Sequence, residues 1–274
     1  MEDKFATYII HYTPLRKRRK FIEGVVETLL RVNWITEREV VPDSFHHNLN
    51  PRVFSIPPNR IALDLGTNSR SIIKSRRKAF AEGVFLQIIS FLPFFPVNFR
   101  LGSLPDVHKL SAAILELNEM HVTALRRARS NNYPWVLVLE DDAIPQENWL
   151  SRVIEIVEYD WPNKPIWINL NSGANLTRTS SDKKLEDLDL FRVKPPTTRC
   201  STAYLVNMAY IKGFTNLVDS YGLPAWLPID VIFQVANRKL SSKSYWAEPE
   251  IFTQGSESGK YSSNLAKHRV QKNF

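Results

Sequence analysis

Three adjacent carboxylates follow one of the most apolar stretches of the chain. Residues 135–139 are Trp, Val, Leu, Val and Leu, and Glu140, Asp141 and Asp142 come directly after them. Five consecutive apolar residues are typical of a strand that is buried on both faces, as at the centre of a parallel sheet. Because ligands of such sheets bind beyond the carboxyl ends of the strands, we expect these acids to lie at a ligand site.

Neighbouring carboxylates repel one another, and each raises the pKa of the next unless a cation or hydrogen-bond donors compensate. A hard divalent cation that prefers oxygen ligands, such as Mg2+ or Mn2+, is the natural compensator. The alternative is structural: Pro145 would open a helix, and carboxylates are favoured beside a helix N-terminus. Because a fully apolar strand precedes the acids, the sequence favours the metal site.

The composition indicates a single α/β domain. The chain has 274 residues, of which 43% are hydrophobic and 11% aromatic, enough to bury a large core. One cysteine, Cys200, excludes an internal disulfide framework and a cysteine-rich zinc site. Residues 1–13 lack the basic start and long apolar run of a secretory signal. These features predict a cytoplasmic protein.

The net charge of +8 predicts an anionic partner, such as nucleic acid, an anionic membrane or a phosphorylated substrate. Basic residues concentrate at 16–20, 74–78 and 126–129. Each run could be no more than a solvated helix face. Because none has interleaved aromatic residues or a groove-reading motif, no nucleic-acid partner is expected.

The segment 83–97 is strongly apolar but too short to span a membrane. Since the basic run 74–78 precedes it, the segment could lie in the plane of an anionic bilayer, giving a peripheral membrane contact. The alternatives are a buried core segment and a lid over a pocket. All three are left open.

Strand and helix patterns alternate along the rest of the chain. Strands are predicted at 5–12, 165–170, 201–206 and 245–249, and apolar residues at helical spacing are found at 21–30, 110–128, 149–157 and 210–218. His121 lies on the apolar face of the second helix, where a histidine is more often a core residue than a ligand. Residues 42–105 form an irregular insertion, and Asp230 precedes a further helix that it could cap.

The order of these parts resembles glycosyltransferase family 25, the lipooligosaccharide and collagen galactosyltransferase group. The matching features, in chain order, are the first strand with Arg18, His121 on its helix, the strand ending in Glu140–Asp142, the segment 201–205, Pro228 with Asp230, and Glu248 with Pro249. The resemblance covers most of the chain outside residues 42–105.

The resemblance implies a GT-A-like single domain with a central, mostly parallel sheet flanked by helices. It also implies transfer of a sugar, with inversion, from a nucleotide-sugar donor, here expected to be a UDP-sugar, to a glycan or lipid-linked saccharide acceptor. It points to Arg18, Asp141 and His121 as donor-binding residues.

Two tasks follow for such a reaction. Asp142, with Glu140 through water, is expected to hold a Mn2+ or Mg2+ ion that neutralises the leaving diphosphate. Asp230 is expected to be the general base, because the apolar loop that contains Trp226 leads into it and would raise its pKa.

Two other functions fit parts of the sequence. A metal-dependent nuclease or phosphotransferase would use an acidic cluster equally well, but the chain has no Walker-type glycine loop and no paired metal-binding motif. A basic membrane-binding or nucleic-acid-binding protein would explain the charge and leave the three acids unexplained.

Overall fold

The computed structural model describes residues 5–11, 16–30, 35–40, 112–173, 176–178, 182–185, 187–194, 196–221 and 228–256. The irregular insertion at 42–105, the basic run 74–78, the apolar segment 83–97 and the loop with Trp226 were singled out from the sequence, and all lie outside these residues.

Ten strands and five helices are formed by the described residues. The strands are β1 (Phe5–His11), β2 (Ile35–Val40), β3 (Trp135–Glu140), β4 (Ala143–Pro145), β5 (Ile166–Asn169), β6 (Lys183–Leu185), β7 (Leu190–Arg192), β8 (Ala203–Asn207), β9 (Lys243–Ala247) and β10 (Phe252–Gln254). The helices are α1 (Arg16–Leu30), α2 (Ala112–Asn131), α3 (Trp149–Glu158), α4 (Met208–Tyr221) and α5 (Ile229–Lys239).

Eight of the strands form one mixed sheet in the order β2-β1-β3-β8-β5-β9-β7-β6. β1 pairs in parallel with both β2 and β3, and β5 pairs in parallel with β9. β8 lies between β3 and β5 and is antiparallel to both. The predicted α/β architecture with a central sheet is confirmed, and β2, β1, β3, β5 and β9 all run in the same direction.

The helices cover both faces of this sheet. Alternate residues of the strands point to opposite faces, so Leu137 and Leu139 of β3 pack with α1 and α3, whereas Val136 and Val138 pack with α2, α4 and α5. All five residues 135–139 are buried, as the apolar run predicts. The molecule therefore has three layers, with a core on each side of the sheet.

The prediction that Pro145 opens a helix is wrong. Pro145 ends the short strand β4, which pairs with β10, and α3 begins only at Trp149. Proline is compatible with this position because a two-stranded ribbon leaves one edge of each strand without ladder hydrogen bonds. The acids thus turn the chain from β3 into β4 and do not lead directly into a helix.

The described part of the chain contains no helix that is both long and apolar enough to cross a membrane.

Candidate functional site

The carboxyl end of β3 lies beside the residues that precede β8, because these two strands are antiparallel neighbours. The amide of Glu140 donates a hydrogen bond of 2.8 Å to the carbonyl oxygen of Thr202, which continues the ladder beyond the end of the strands. The segment 196–202 and the acidic turn 140–142 therefore lie side by side at the same end of the sheet, where β3 ends and β8 begins.

Glu140 points to the side of the sheet that α2 and α5 cover, because it follows Val136 and Val138 at a spacing of two residues. There its Oε1 accepts a hydrogen bond of 2.6 Å from the hydroxyl of Ser201. The same oxygen lies 3.3 Å from Nε2 of His121, which is fully buried. The carboxylate is thus held by residues from β3, α2 and the segment before β8.

The carboxylate of Glu140 determines which nitrogen of His121 donates a hydrogen bond to it. A carboxylate only accepts, so Nε2 carries the proton that it shares with Glu140. The other ring nitrogen, Nδ1, lies within hydrogen-bond distance of the hydroxyl of Tyr204, at 2.9 Å. Burial raises the pKa of Tyr204 well above its usual value, which keeps this hydroxyl protonated. We call Tyr204, His121, Glu140 and Ser201 the glutamate network.

Asp141 and Asp142 complete the acidic turn and are 6% and 4% exposed. The carbonyl oxygen of Asp142 accepts a hydrogen bond of 2.8 Å from the amide of Gly255, just after β10. The pairing of β4 with β10 therefore fixes the backbone on the far side of the turn.

The carboxylate oxygens of this turn suit a cation such as Mg2+, which needs few ligands from the protein. Within the described ranges, no three His, Cys, Asp or Glu side chains come together as a metal site. Mg2+ is commonly held by only one or two carboxylates, with substrate phosphates and water as the other ligands. Two aspartates in one turn fit that pattern, whereas Oε1 of Glu140 is already engaged by two donors.

Asp230 lies in the first turn of α5, but it is not the capping residue. The N-cap position belongs to Pro228, which makes no side-chain hydrogen bond there. The carbonyl oxygen of Asp230 accepts a hydrogen bond of 2.8 Å from the hydroxyl of Thr198, so the segment before β8 also contacts this helix.

The environment of Asp230 raises its pKa from 3.8 to about 6. Burial of the carboxyl group is the main cause, and the negative charge of Glu140 adds to it. The hydrogen bond with its own backbone amide and the nearby His121 act in the opposite direction. Asp230 therefore lies within electrostatic range of the glutamate network, although it belongs to a different element.

The structure brings together most of the site residues that the sequence singles out. Glu140 and His121 are in contact, Asp230 interacts electrostatically with both, and Asp141 and Asp142 lie in the same turn. The burial of His121 favours a supporting role behind Glu140 over direct donor contact. Arg18 belongs to α1, and its side chain lies outside the described part of the structure.

Sequence reasoning missed the roles of two residues next to β8. Ser201 contacts Glu140, and the sequence singled it out only as the first residue of a predicted strand and of the segment 201–205 in the family resemblance. Cys200 lies beside Thr202 and Asn171, and burial raises its pKa to about 12, so its thiol stays protonated at neutral pH. A thiol in that state is a poor nucleophile and a poor metal ligand.

No protein-family model matches the chain, and no curated protein sequence matches it either.

Proposed function

We propose that the protein is a glycosyltransferase that transfers a sugar from a nucleotide-sugar donor, a UDP-sugar, to a glycan or lipid-linked saccharide. One observation supports this proposal: carboxylates from two separate elements lie within electrostatic range of each other at the end of the sheet where β3 terminates. The turn 140–142 extends from β3, and Asp230 extends from the first turn of α5. Sugar transfer to a hydroxyl needs two separate groups. One acts at the leaving diphosphate, and the other acts at the acceptor hydroxyl.

The reaction that fits is a single displacement with inversion. The acceptor oxygen forms a bond to the anomeric carbon while the bond from that carbon to the diphosphate oxygen breaks. The diphosphate leaves with the electron pair, and the proton of the acceptor hydroxyl passes to a base of the protein. When bound, a Mn2+ or Mg2+ ion supplies positive charge to the leaving diphosphate.

Asp142 is the residue that we assign to that cation, with Asp141 directed either to it or to the hydroxyls of the donor. Both side chains are almost completely buried in the turn after β3, and burial strengthens their interaction with a cation. Glu140 is not assigned to the cation but to the support of this turn, since two hydrogen-bond donors already engage its Oε1. This assignment leaves the donor phosphates to complete the coordination.

Asp230 is the residue that we assign as the general base. A base works best when its pKa is near the operating pH, and burial together with the charge of Glu140 brings the pKa of Asp230 to about 6. A surface aspartate with an ordinary pKa near 4 would be about a hundredfold weaker as a base. The unused capping role also favours this assignment, because Pro228 occupies the N-cap position.

The fold is compatible with the GT-A-like architecture that the resemblance implies. A central sheet lies between two layers of helices, and the acidic turn lies at the carboxyl edge of the sheet. Within this proposal the protein acts in the cytoplasm, with a peripheral membrane contact where the acceptor is lipid-linked.

Calorimetric titration with UDP, in the presence and absence of Mn2+, tests the proposal. We expect UDP to bind with Mn2+ and to lose most of its affinity when the metal is chelated. Titration with UMP distinguishes a glycosyltransferase from a nuclease or phosphotransferase. A diphosphate-specific site should bind UMP much more weakly than UDP. Failure of UDP to bind with either Mn2+ or Mg2+ would overturn the proposal.

A further inference from the structure

A second group of charged residues lies at the same edge of the sheet, outside the glutamate network. Glu248 follows β9, and both of its carboxylate oxygens are engaged by arginines. Nη2 of Arg199 contacts one oxygen, and Nε of Arg178 contacts the other. Because one carboxylate faces two guanidinium groups, this trio has a net charge of +1.

Arg199 is the deeper of the two arginines. Its side chain is 4% exposed, and its guanidinium lies over the ring of Trp246, 4.1 Å from the ring centroid. Among the described residues, its Nε has no hydrogen-bond partner. A buried charged group with an unmet N–H donor is unfavourable, so the contact with Glu248 alone does not account for an arginine at this position.

Arg178 gives the trio access to solvent. Its side chain is 44% exposed, and its guanidinium lies 3.8 Å from the centroid of the Phe191 ring. Both guanidiniums thus lie on aromatic rings, which fixes their planes. A planar arginine held in this way presents its remaining N–H groups in the fork geometry that phosphate and carboxylate groups accept.

The position of Arg199 along the chain indicates which substrate an anion here would belong to. Arg199 directly follows Thr198, whose hydroxyl contacts the backbone of Asp230. This contact places the arginine next in the chain to a residue that touches the proposed base. The base must meet the acceptor hydroxyl, whereas the donor diphosphate is assigned to the turn at Asp142.

We propose that Arg199 and Arg178 form a binding subsite for an anionic group, a phosphate or a carboxylate, on the saccharide acceptor. The assignment to the acceptor rests on the proposed function, but anion binding by the two arginines does not. Glu248 holds the pair in place and limits the site to one further anion.

Titration calorimetry with inorganic phosphate and with acetate tests the subsite. We expect the wild-type protein to bind at least one of the two anions, and we expect Arg199→Gln and Arg178→Gln each to weaken that binding at least tenfold. Arg126→Gln is the matched control, because Arg126 is an exposed arginine paired with Asp219 on the surface of α2 and should leave anion binding unchanged. If Arg199→Gln fails to fold, the exposed Arg178 still provides the test.

Repeating the titration with saturating UDP and Mg2+ distinguishes the two sources of the anion. Continued binding of phosphate or acetate supports the acceptor subsite, and displacement by UDP would show that the arginines serve the donor diphosphate, which overturns the acceptor assignment. Absence of anion binding in the wild type, or equal binding by Arg178→Gln, overturns the subsite itself. If UDP fails to bind while phosphate still binds, the glycosyltransferase proposal and the acceptor assignment fail, and the arginine subsite is supported.

Discussion

Tyr204 and His121 are 83 residues apart in the chain, yet a hydrogen bond of 2.9 Å joins the phenolic oxygen of one to Nδ1 of the other. The other ring nitrogen, Nε2, donates to Glu140, so this bond helps to hold the imidazole in the orientation that reaches the carboxylate. The Tyr204 ring also stacks on Trp167, with 4.4 Å between the ring centroids. The tyrosine thus serves both the packing of the core and the arrangement of the site, and its hydroxyl can be removed without its ring.

Tyr204→Phe is expected to destabilise the protein by about 1 to 3 kcal/mol, because it leaves Nδ1 of the buried His121 without its hydrogen-bond partner. Tyr210→Phe is the matched control. Tyr210 is also fully buried, but its hydroxyl has no hydrogen-bond partner among the described residues, so its removal should be neutral or stabilising. Urea unfolding of the three proteins measures the difference, and equal effects of the two substitutions would contradict the hydrogen bond between Tyr204 and His121.

Asp142→Asn should fold like the wild type and lose metal-dependent binding of UDP. The amide keeps the shape of the side chain but removes the charge that attracts the cation. We expect UDP affinity in Mn2+ to fall about tenfold or more, equivalent to about 1.4 kcal/mol. Titration calorimetry with Asp230→Asn as the comparison checks this, because that variant should bind UDP and Mn2+ normally. Wild-type behaviour of Asp142→Asn would remove the metal site from the acidic turn.

Asp230→Asn should lower kcat by about a hundredfold or more while leaving donor binding intact, the usual consequence of losing a general base. The base must be deprotonated to act, and its pKa is raised to about 6. The rate of the wild-type enzyme should therefore rise with pH through about pH 6 and then level off. Steady-state kinetics from pH 5 to 8 with a UDP-sugar would show this limb, and its absence together with unchanged turnover in the variant would exclude Asp230 as the base.

The same residue should make the stability of the protein depend on pH. Its pKa is about 6 in the folded protein, whereas an ordinary aspartate, as in the unfolded chain, has a pKa of 3.8. The folded protein therefore holds the proton more tightly than the unfolded chain. The contribution of Asp230 to stability is therefore fully present below about pH 4 and is lost as the pH rises through 6. Asp230→Asn should be more stable than the wild type at pH 7, by about 1 to 3 kcal/mol, and the difference should vanish near pH 4. Thermal unfolding at the two pH values measures it.

The sequence predicts those parts of the fold that depend on local patterns. The apolar run 135–139 predicts the central strand, and the spacing of apolar residues predicts α1, α2, α3 and α4 at nearly their observed positions. The short strands are harder. β4 exists because β10, more than a hundred residues later, pairs with it, and β6 lies in a charged stretch without an apolar run or a regular alternation. Three residues carry too little periodicity to distinguish a strand from a turn.

The candidate site, like the fold, has some features that local sequence patterns predict and others that depend on the pairing of distant segments. Residue type and position beside a strand are enough to single out Glu140 and Asp142, because neighbouring acids at a strand end have few structural roles. The contact of Glu140 with Ser201, 61 residues away, depends on β8 being antiparallel to β3, which no local pattern reveals. The buried position of Arg199 over Trp246 likewise results from the pairing of distant segments.

The close approach of Gly173 to Cys200 provides a test of the packing beside the site. A methyl group at residue 173 would lie 2.6 Å from Sγ of Cys200, well inside van der Waals contact. The sulfur also contacts the side chains of Asn171 and Gln254, at 2.5 and 3.5 Å, so a shift of the sulfur away from residue 173 would disturb these contacts. Gly173→Ala is therefore expected to destabilise the protein by about 1 to 3 kcal/mol, the usual cost of overpacking.

Two further variants make this prediction specific. In the Cys200→Ala background, Gly173→Ala should cost much less, because the sulfur atom that blocks the methyl group is absent, and a double-mutant cycle measures the coupling. Gly24→Ala is the control at an open position: Gly24 lies within α1 with nothing within 4 Å of its added methyl group, so alanine should stabilise the helix by about 0.5 to 1 kcal/mol. If Gly173→Ala costs the same with and without the cysteine, the segment after β5 does not pack against Cys200 in this way.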